Sequence, residues 1–160
     1  MAEQRACHCP DIDDQDWHMK DMDWSDKFFY FDDLPHFFKV PLGFERVVGE
    51  MKNQIARKGY TMVHPDLILH LPALFQGKVL VEIEDPQQYD ANVVPFENAR
   101  ILTRVYQGPR AGLKQAVEEL KAFAQDRTHI LPGAIYHWHI TCARCARERG
   151  GEKTVLLAQI

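Results

Sequence analysis

Four cysteines have the number and spacing of a metal site. Cys142 and Cys145 form a Cys-x-x-Cys motif, and Cys7 and Cys9 form a Cys-x-Cys motif near the opposite end of the chain. A tight turn after a strand can direct two thiolates at one ion, and four thiolates complete a tetrahedral zinc site. The sequence therefore predicts a zinc ion held by all four cysteines. Such a site would be structural, because four thiolates leave no open position for a catalytic water.

Two other interpretations of the cysteines stay open. Cys142 and Cys145 could be a redox pair, or the cysteines could have no special role. A redox Cys-x-x-Cys is expected at the start of a helix, whereas this motif follows a predicted strand, which counts against redox use. Three histidines could replace a thiolate as ligand: His8, His137 and His139.

Glu82 is the candidate acid or base. The segment from Gly77 to Glu84 alternates in the manner of a strand, with Val79, Val81 and Ile83 on one face and the two glutamates on the other. If that second face is solvated, the glutamates are ordinary surface residues. If a ligand cleft covers it, Glu82 could anchor a cation or act as a general base.

Aromatic residues near the predicted strands could bind a flat ligand. Tyr106, Tyr136 and Trp138 could stack on such a compound and orient it through their phenol and indole groups. As core residues they would give the same pattern. No Ser-His-Asp set, phosphate loop or dinucleotide motif is present in the sequence.

The charge is unevenly distributed along the chain. The formal net charge is −4 over 160 residues, but the first 35 residues hold ten acidic and three basic side chains. An acidic segment beside a mildly basic body predicts contact within the chain and argues against nucleic acid as a partner. The sequence also shows neither a secretory signal nor a membrane-spanning apolar run, which predicts a cytoplasmic protein with reduced cysteines.

The elements that would position these residues occur twice. Residues 1–26 have neither helical nor strand periodicity and are predicted to be an acidic arm, with Trp17 and Trp24 docked on the domain. Residues 27–160 are predicted to be one domain of two modules, 27–84 and 99–160. Each module reads as strand, helix, strand, strand, with a Pro/Gly turn before the helix. The first strand is predicted to end at Phe31, before a turn at residues 32–35. The sequence thus predicts an α+β fold, an antiparallel sheet with both helices on one face.

This organisation resembles the GyrI-like small-molecule-binding domains. The resemblance covers roughly residues 28–160 and rests on three features: the duplicated order, the segment Val105-Tyr-Gln-Gly-Pro109 before the second helix, and the aromatic strand Ala134-Ile-Tyr-His-Trp-His139. The acidic arm and the four cysteines lie outside the common pattern, which places the chain in a metal-bearing subgroup.

The resemblance implies an aromatic cleft between the two helices for flat apolar or cationic compounds. By position, its walls are predicted to be Glu82, Tyr106, Tyr136 and Trp138. A last strand in the family often begins Thr-Glu, but here the matching residues are Thr154 and Val155, so the cation-binding carboxylate is missing. Glu82 is the nearest substitute.

Three functions follow from these observations. The first is sensing or sequestration of small xenobiotics by a monomer or weak homo-oligomer. The second is hydrolysis of a reactive, cyclopropanoid-type xenobiotic with Glu82 as a catalytic residue. The third is a protein-interaction module that uses the acidic arm.

Overall fold

The computed structural model describes residues 9–160, which form one nine-stranded antiparallel sheet with helices against it. The strands are β1 (Asp21–Asp23), β2 (Phe28–Phe37), β3 (Val40–Pro41), β4 (Ile68–Leu71), β5 (Gln76–Ile83), β6 (Val93–Pro95), β7 (Arg100–Gly108), β8 (Ala134–His139) and β9 (Glu152–Gln159). The helices are α1 (Asp14–Trp17), α2 (Phe44–Arg57), α3 (Leu113–Thr128) and α4 (Ala143–Glu148). The predicted α+β class is confirmed.

The two predicted modules are related by their strand order. The sheet runs β1-β7-β9-β8-β4-β5-β2-β3, with the short strands β1 and β3 at its edges. Between them, the three main strands of each module follow one order: the first (β2 or β7) on the outside, the third (β5 or β9) next, and the second (β4 or β8) in the middle of the sheet. The modules meet where β4 pairs with β8, at the single register pair His70 and His137. This junction is the place where a pseudo-two-fold axis would pass.

Both long helices pack on the same face of the sheet. α2 buries Val47, Met51 and Ile55 against the β2 and β5 side chains. α3 buries Ala116, Leu120 and Ala124 against β7 and β9. Each helix carries an apolar stripe at 3–4 residue spacing, which is why the sequence pattern located both of them. The main contacts of α2 are with β2, and those of α3 are with β7 and β9. The helix-face side chains of the central strands β4 and β8 therefore lie between the two helices, in a region that we call the groove.

The acidic segment covers the opposite face. β1 pairs with β7 at the sheet edge, and Trp24 is buried against Phe29 and Phe96. Asp21 is bonded to Arg100, which lowers the pKa of the Asp21 carboxyl, and Asp14 Oδ1 lies 2.8 Å from Lys153 Nζ. The described part of the arm therefore contacts the body of the chain, as its charge predicted.

One element boundary was predicted wrongly. β2 continues without interruption through residues 32–35, where the sequence predicted a turn. Asp32, Asp33 and Pro35 have low strand propensity, but each pairs with a β5 residue, so tertiary pairing overrides local preference. The longer strand carries His36 into the sheet. No helix in the described part of the chain is long and apolar enough to cross a membrane.

Candidate functional site

Three cysteines come together after β8. The Sγ atoms of Cys9, Cys142 and Cys145 all lie within 4.8 Å of one another. The Cys142 amide donates to Cys9 Sγ at 3.1 Å, and the Cys145 amide donates to Cys142 Sγ at 3.5 Å. Backbone N–H groups that point at sulfur stabilise thiolates. These three residues could hold a metal ion, whereas the predicted fourth ligand, Cys7, lies outside the described residues.

The local structure of the Cys-x-x-Cys motif differs from the prediction. Cys142 caps the N-terminus of α4, so the motif begins a short helix and is not the turn of a hairpin. The stretch between β8 and β9 is long enough to close helical bonds such as Ala146 N–H to Cys142 O. The argument that the motif follows a strand therefore does not count against redox use. The proximity of a third thiol, Cys9, favours the metal interpretation instead.

The four predicted cleft residues do not lie together. Tyr106 is on the helix face of the sheet and packs with the α3 cluster. Tyr136 and Trp138 are on the opposite face, in the core beneath the arm. Glu82 alternates with Val81 and Ile83, which contact α2, so it also faces away from the helices. The prediction that these four residues wall one cleft between the helices was wrong, because the arm gives the sheet a second buried face.

Each of the three residues on the arm side is engaged by its own chain. Glu82 pairs with Lys27 at 2.9 Å, and Trp138 donates from Nε1 to Asp66 O at 3.0 Å. Tyr136 donates to Gln159 Oε1 at 2.8 Å, and burial raises the pKa of Tyr136 to about 12. A role for these residues in ligand binding stays a prediction.

Four histidines occupy the groove between α2 and α3. His36 comes from β2, His70 from β4, and His137 and His139 from β8. The Nε2 atoms of His36 and His70 are 2.8 Å apart, and His70 Nδ1 is 3.3 Å from His139 Nε2. His139 Nδ1 lies 3.5 Å from Thr154 Oγ1 on β9. The imidazoles thus form a row across the sheet, buried at His36 and His70 and open to solvent at His139.

Gly77 allows His36 to reach this row. β5 lies between β2 and β4, so the His36 ring must cross it on the helix face. A Cβ atom at residue 77 would lie 2.5 Å from His36 Cε1 and 2.3 Å from the Leu71 carbonyl oxygen. Because both distances are shorter than any real Cβ contact, only glycine fits at this crossing.

Two arrangements of protons give every hydrogen bond of the row one donor and one acceptor. His36 Nδ1 can accept from the Gly77 amide at 3.2 Å, and each imidazole then donates to the next one toward Thr154. Alternatively, His36 Nδ1 donates to Leu34 O at 2.8 Å, and every bond in the row reverses. In the second arrangement the His70 Nε2–H donates to His36 Nε2, and His70 Nδ1 accepts from the His139 Nε2–H.

The environment lowers the pKa of three of these imidazoles, those of His70, His137 and His139. Burial, and then the neighbouring histidines, lower the pKa of His70 to about 3. Burial and His139 lower the pKa of His137 to about 4. The pKa of His139 is also lowered, by burial and by the charge of Arg110, although Glu152 opposes this shift. Uncharged imidazole is the form that accepts a proton or binds a metal ion.

An aromatic ring borders the groove. The Phe44 ring, at the start of α2, packs edge-on against His70 and His139, with centroid distances of 5.8 and 6.4 Å. Tyr106 pairs with Thr154 in the strand register, and Thr154 pairs with His139. Two depressions lie elsewhere on the surface, one next to His18 and the other beside Tyr89, and both are shallow. The groove is the candidate site, because it brings several histidines together beside an aromatic ring.

Sequence reasoning did not identify the histidine row. His137 and His139 were considered only as substitute cysteine-site ligands, and His36 was not considered. The available signal was the alternation of side chains along a strand. His137 and His139 are two residues apart, so these two histidines lie on one face of β8 and Trp138 on the other. His70 could be added only from the strand pairing, and His36 only once the path over Gly77 was known.

Comparison with a known structure defines the class of protein. The chain is similar to the solved structure described as "Crystal structure of EcmrR C-terminal domain", with a TM-score of 0.61, 13% identity, and coverage of 88% of this chain and 93% of that chain. This likeness supports the GyrI-like fold. The duplicated modules and the groove between their helices define an α+β protein of that fold. No curated protein matches the sequence at a significant level.

A comparison with family models assigns the chain more narrowly than the fold does. The family model described as "Bacterial hydrolase" matches residues 1–160. The chain belongs to this family of bacterial hydrolases. The resemblance to GyrI-like domains is therefore correct for the fold, whereas the family that the sequence matches is this one.

Proposed function

We propose that the protein hydrolyses a small, apolar organic compound that binds in the groove between α2 and α3. The observation that carries this proposal is the row of imidazoles in that groove, open to solvent at His139, in a chain of a hydrolase family. Hydrolysis needs a group that activates water beside a surface that holds the substrate. The groove offers both within one set of contacts.

The histidines are the groups that can activate a water molecule. Imidazole can do so as a general base or as a metal ligand. In either case the water oxygen adds to the electrophilic atom of the substrate, and the water proton finally resides on the leaving group. His139 is at the solvent end and would be nearest to the reaction, while His70 behind it fixes the orientation of its ring.

The surroundings favour an apolar substrate. Phe44 forms one wall of the groove, and Phe37, Phe38 and Phe75 form an exposed aromatic cluster that adjoins His36 through the bond from His36 N–H to Phe75 O. Of the four predicted ligand contacts, Tyr106 is retained because it shares the helix face with His139 and is separated from it only by Thr154 in the strand register. Glu82 lies on the other face, so neither catalysis by Glu82 nor a preference for cations is part of this proposal.

Hydrolysis can be tested with a panel of activated aryl esters and strained epoxides. The His139→Asn protein should lose about 10²–10⁴-fold in kcat/KM, the contribution typical of a lost general base. His129→Asn is the matched control, because His129 is an exposed histidine beyond the end of α3 and should leave the rate unchanged.

Two results would contradict this function. Equal rates for wild type and His139→Asn would show that the groove takes no part in the reaction. Binding of flat aromatic dyes in the groove, without turnover of any compound in the panel, would favour sensing or sequestration instead.

We also propose that Cys9, Cys142 and Cys145 hold a structural zinc ion, with Cys7 as the fourth ligand. The support is the 4.8 Å grouping of the three sulfur atoms and the amide bonds to two of them. A zinc ion here would join the start of the chain to the β8–β9 connection. Its binding free energy would add to the free energy of unfolding.

Substitution of Cys145 tests the structural zinc. The Cys145→Ser protein should contain one zinc ion fewer per chain by elemental analysis and should melt at a lower temperature, because a ligand of the folded state is lost. Arg147→Ala, an exposed change in the same helix, should alter neither quantity. Unchanged zinc content in the Cys145→Ser protein would rule out the site.

A further inference from the structure

The His70, His137 and His139 rings form a nearly equilateral triangle in the groove. Their centroids are separated by 5.5 Å for His70 and His139, 5.9 Å for His137 and His139, and 6.1 Å for His70 and His137. Zinc–imidazole bonds of about 2.0–2.1 Å place the ring centres of two tetrahedral ligands roughly 5.2 Å apart. The observed triangle is slightly wider than that of a three-histidine metal site.

The closest nitrogen pair in the triangle has the separation of two metal ligands. His70 Nδ1 and His139 Nε2 are 3.3 Å apart, which is long for a hydrogen bond between two imidazoles. Two nitrogens bound to one tetrahedral zinc ion are about 3.3 Å apart, given the same bond lengths. These atoms therefore already have the spacing that a shared ion would require.

The remaining nitrogens of these two rings have outer partners. His70 Nε2 lies 2.8 Å from His36 Nε2, and His36 Nδ1 lies 2.8 Å from Leu34 O. His139 Nδ1 faces Thr154 Oγ1 at 3.5 Å. Metal-binding histidines characteristically use the second nitrogen in this way, which fixes the tautomer and the ring orientation. His36 would thus be a positioning residue, and Gly77 makes room for it.

We propose that His70, His137 and His139 bind a zinc ion, in a second metal site that is separate from the cysteines. His70 ligates through Nδ1 and His139 through Nε2. Both lone pairs are available when the His70 proton is on Nε2, donated to His36, and the His139 proton is on Nδ1, directed at Thr154 Oγ1. The metal ion then replaces the direct contact between the two rings. The three nitrogens do not all lie within 4.8 Å of one another, so metal binding draws the His137 ring toward the other two. The fourth position opens toward the groove beside Phe44.

The two sites differ in chemistry. Three imidazoles leave one position for water, and zinc lowers the pKa of bound water to about 7. The zinc-bound hydroxide would add to the substrate, and the proton released from the water would be transferred to the leaving group. This catalytic role rests on the proposed hydrolase function, whereas the binding of zinc does not.

Metal content distinguishes the two sites. Full-length protein purified without chelators should contain about two zinc ions per chain by native mass spectrometry. His70→Asn and His137→Asn should each contain about one, and His129→Asn should contain two. Circular dichroism would show whether each variant is folded, and cobalt substitution of the wild type gives a second readout. The cysteine site shows a thiolate-to-cobalt charge-transfer band, and the histidine site adds d–d absorption without one.

The proposal is overturned if the histidine variants keep the same metal content as wild type, or if cobalt gives only the thiolate spectrum. The hydrolase function has a separate outcome. Histidine-dependent hydrolysis that persists after the groove metal is removed would leave that function standing and refute a catalytic zinc. A groove that binds zinc but hydrolyses no substrate would leave the zinc site standing and contradict the hydrolase function.

Discussion

A protein that lacks residues 1–26 should be less stable than the full chain by about 4 kcal/mol or more. The deletion removes β1 and Trp24 and uncovers the core around Phe29 and Trp138. Trp24 is 6% exposed, and burial of one large apolar side chain contributes ~1.5–3 kcal/mol. The Trp17 ring, 5.0 Å from the Trp138 ring, is lost as well. Urea denaturation of both proteins measures the difference.

A point substitution makes the same test if the truncated protein does not fold. Trp24→Ala should lower the free energy of unfolding by about 3–5 kcal/mol, the range for removal of a buried aromatic side chain. Gln15→Ala, an exposed change in the same segment, should be close to neutral. Denaturation of the truncated chain at the same urea concentration as the full chain would show that the arm contributes nothing.

The second large effect is expected at Gly77. Gly77→Ala should lower the free energy of unfolding by about 1–3 kcal/mol, because the new Cβ overpacks against the Leu71 carbonyl and the His36 ring. It should also break the bond between His36 and His70, which nitrogen-15 spectra of the imidazoles would detect. Both effects have one cause, the passage of the His36 side chain over β5 at Gly77.

Gly49→Ala is the matched control for this substitution. Gly49 lies within α2, and a Cβ there would meet no atom within 4 Å. Alanine should therefore raise the free energy of unfolding by up to about 1 kcal/mol through helix propensity. Combining His36→Ala with Gly77→Ala should recover part of the loss, since one of the two clashes disappears. An alanine at residue 77 that leaves both stability and the imidazole spectra unchanged would refute the account of the crossing.

The elements that could be predicted from sequence were those with a local pattern. Val47, Met51 and Ile55 recur at helical spacing, and Val79, Val81 and Ile83 alternate as a strand requires. Both patterns record burial on one face, so they located α2 and β5 within about one residue. Duplication of the order then gave the fold class. The acidic arm was also predictable in outline, because its charge is opposite to that of the body.

The site could not be predicted in the same way, because it depends on which strands become neighbours. Tyr136 and Trp138 were assigned to a ligand cleft, but they lie on the face that Trp17 and Trp24 cover. The alternation of residues along the strand is the same in either case. His36 and His70 are 34 residues apart, and they meet only because β2 continues past Asp33 and Gly77 carries no side chain. No local signal contains either fact. The Cys-x-x-Cys motif was recognised, yet the short helix it begins depends on the length of the β8–β9 connection.

The contact between Cys9 and Cys142 has a consequence for synthesis on the ribosome. These residues are 133 positions apart, and β1 likewise pairs with a strand about 80 residues later. The arm must therefore wait, without these partners, until β7 and the Cys-x-x-Cys segment have been synthesised. Such long-range closure slows folding and prolongs the exposure of apolar side chains such as Trp17 and Trp24. The aspartates around these tryptophans give the waiting segment a net negative charge, which should limit its association with other nascent chains.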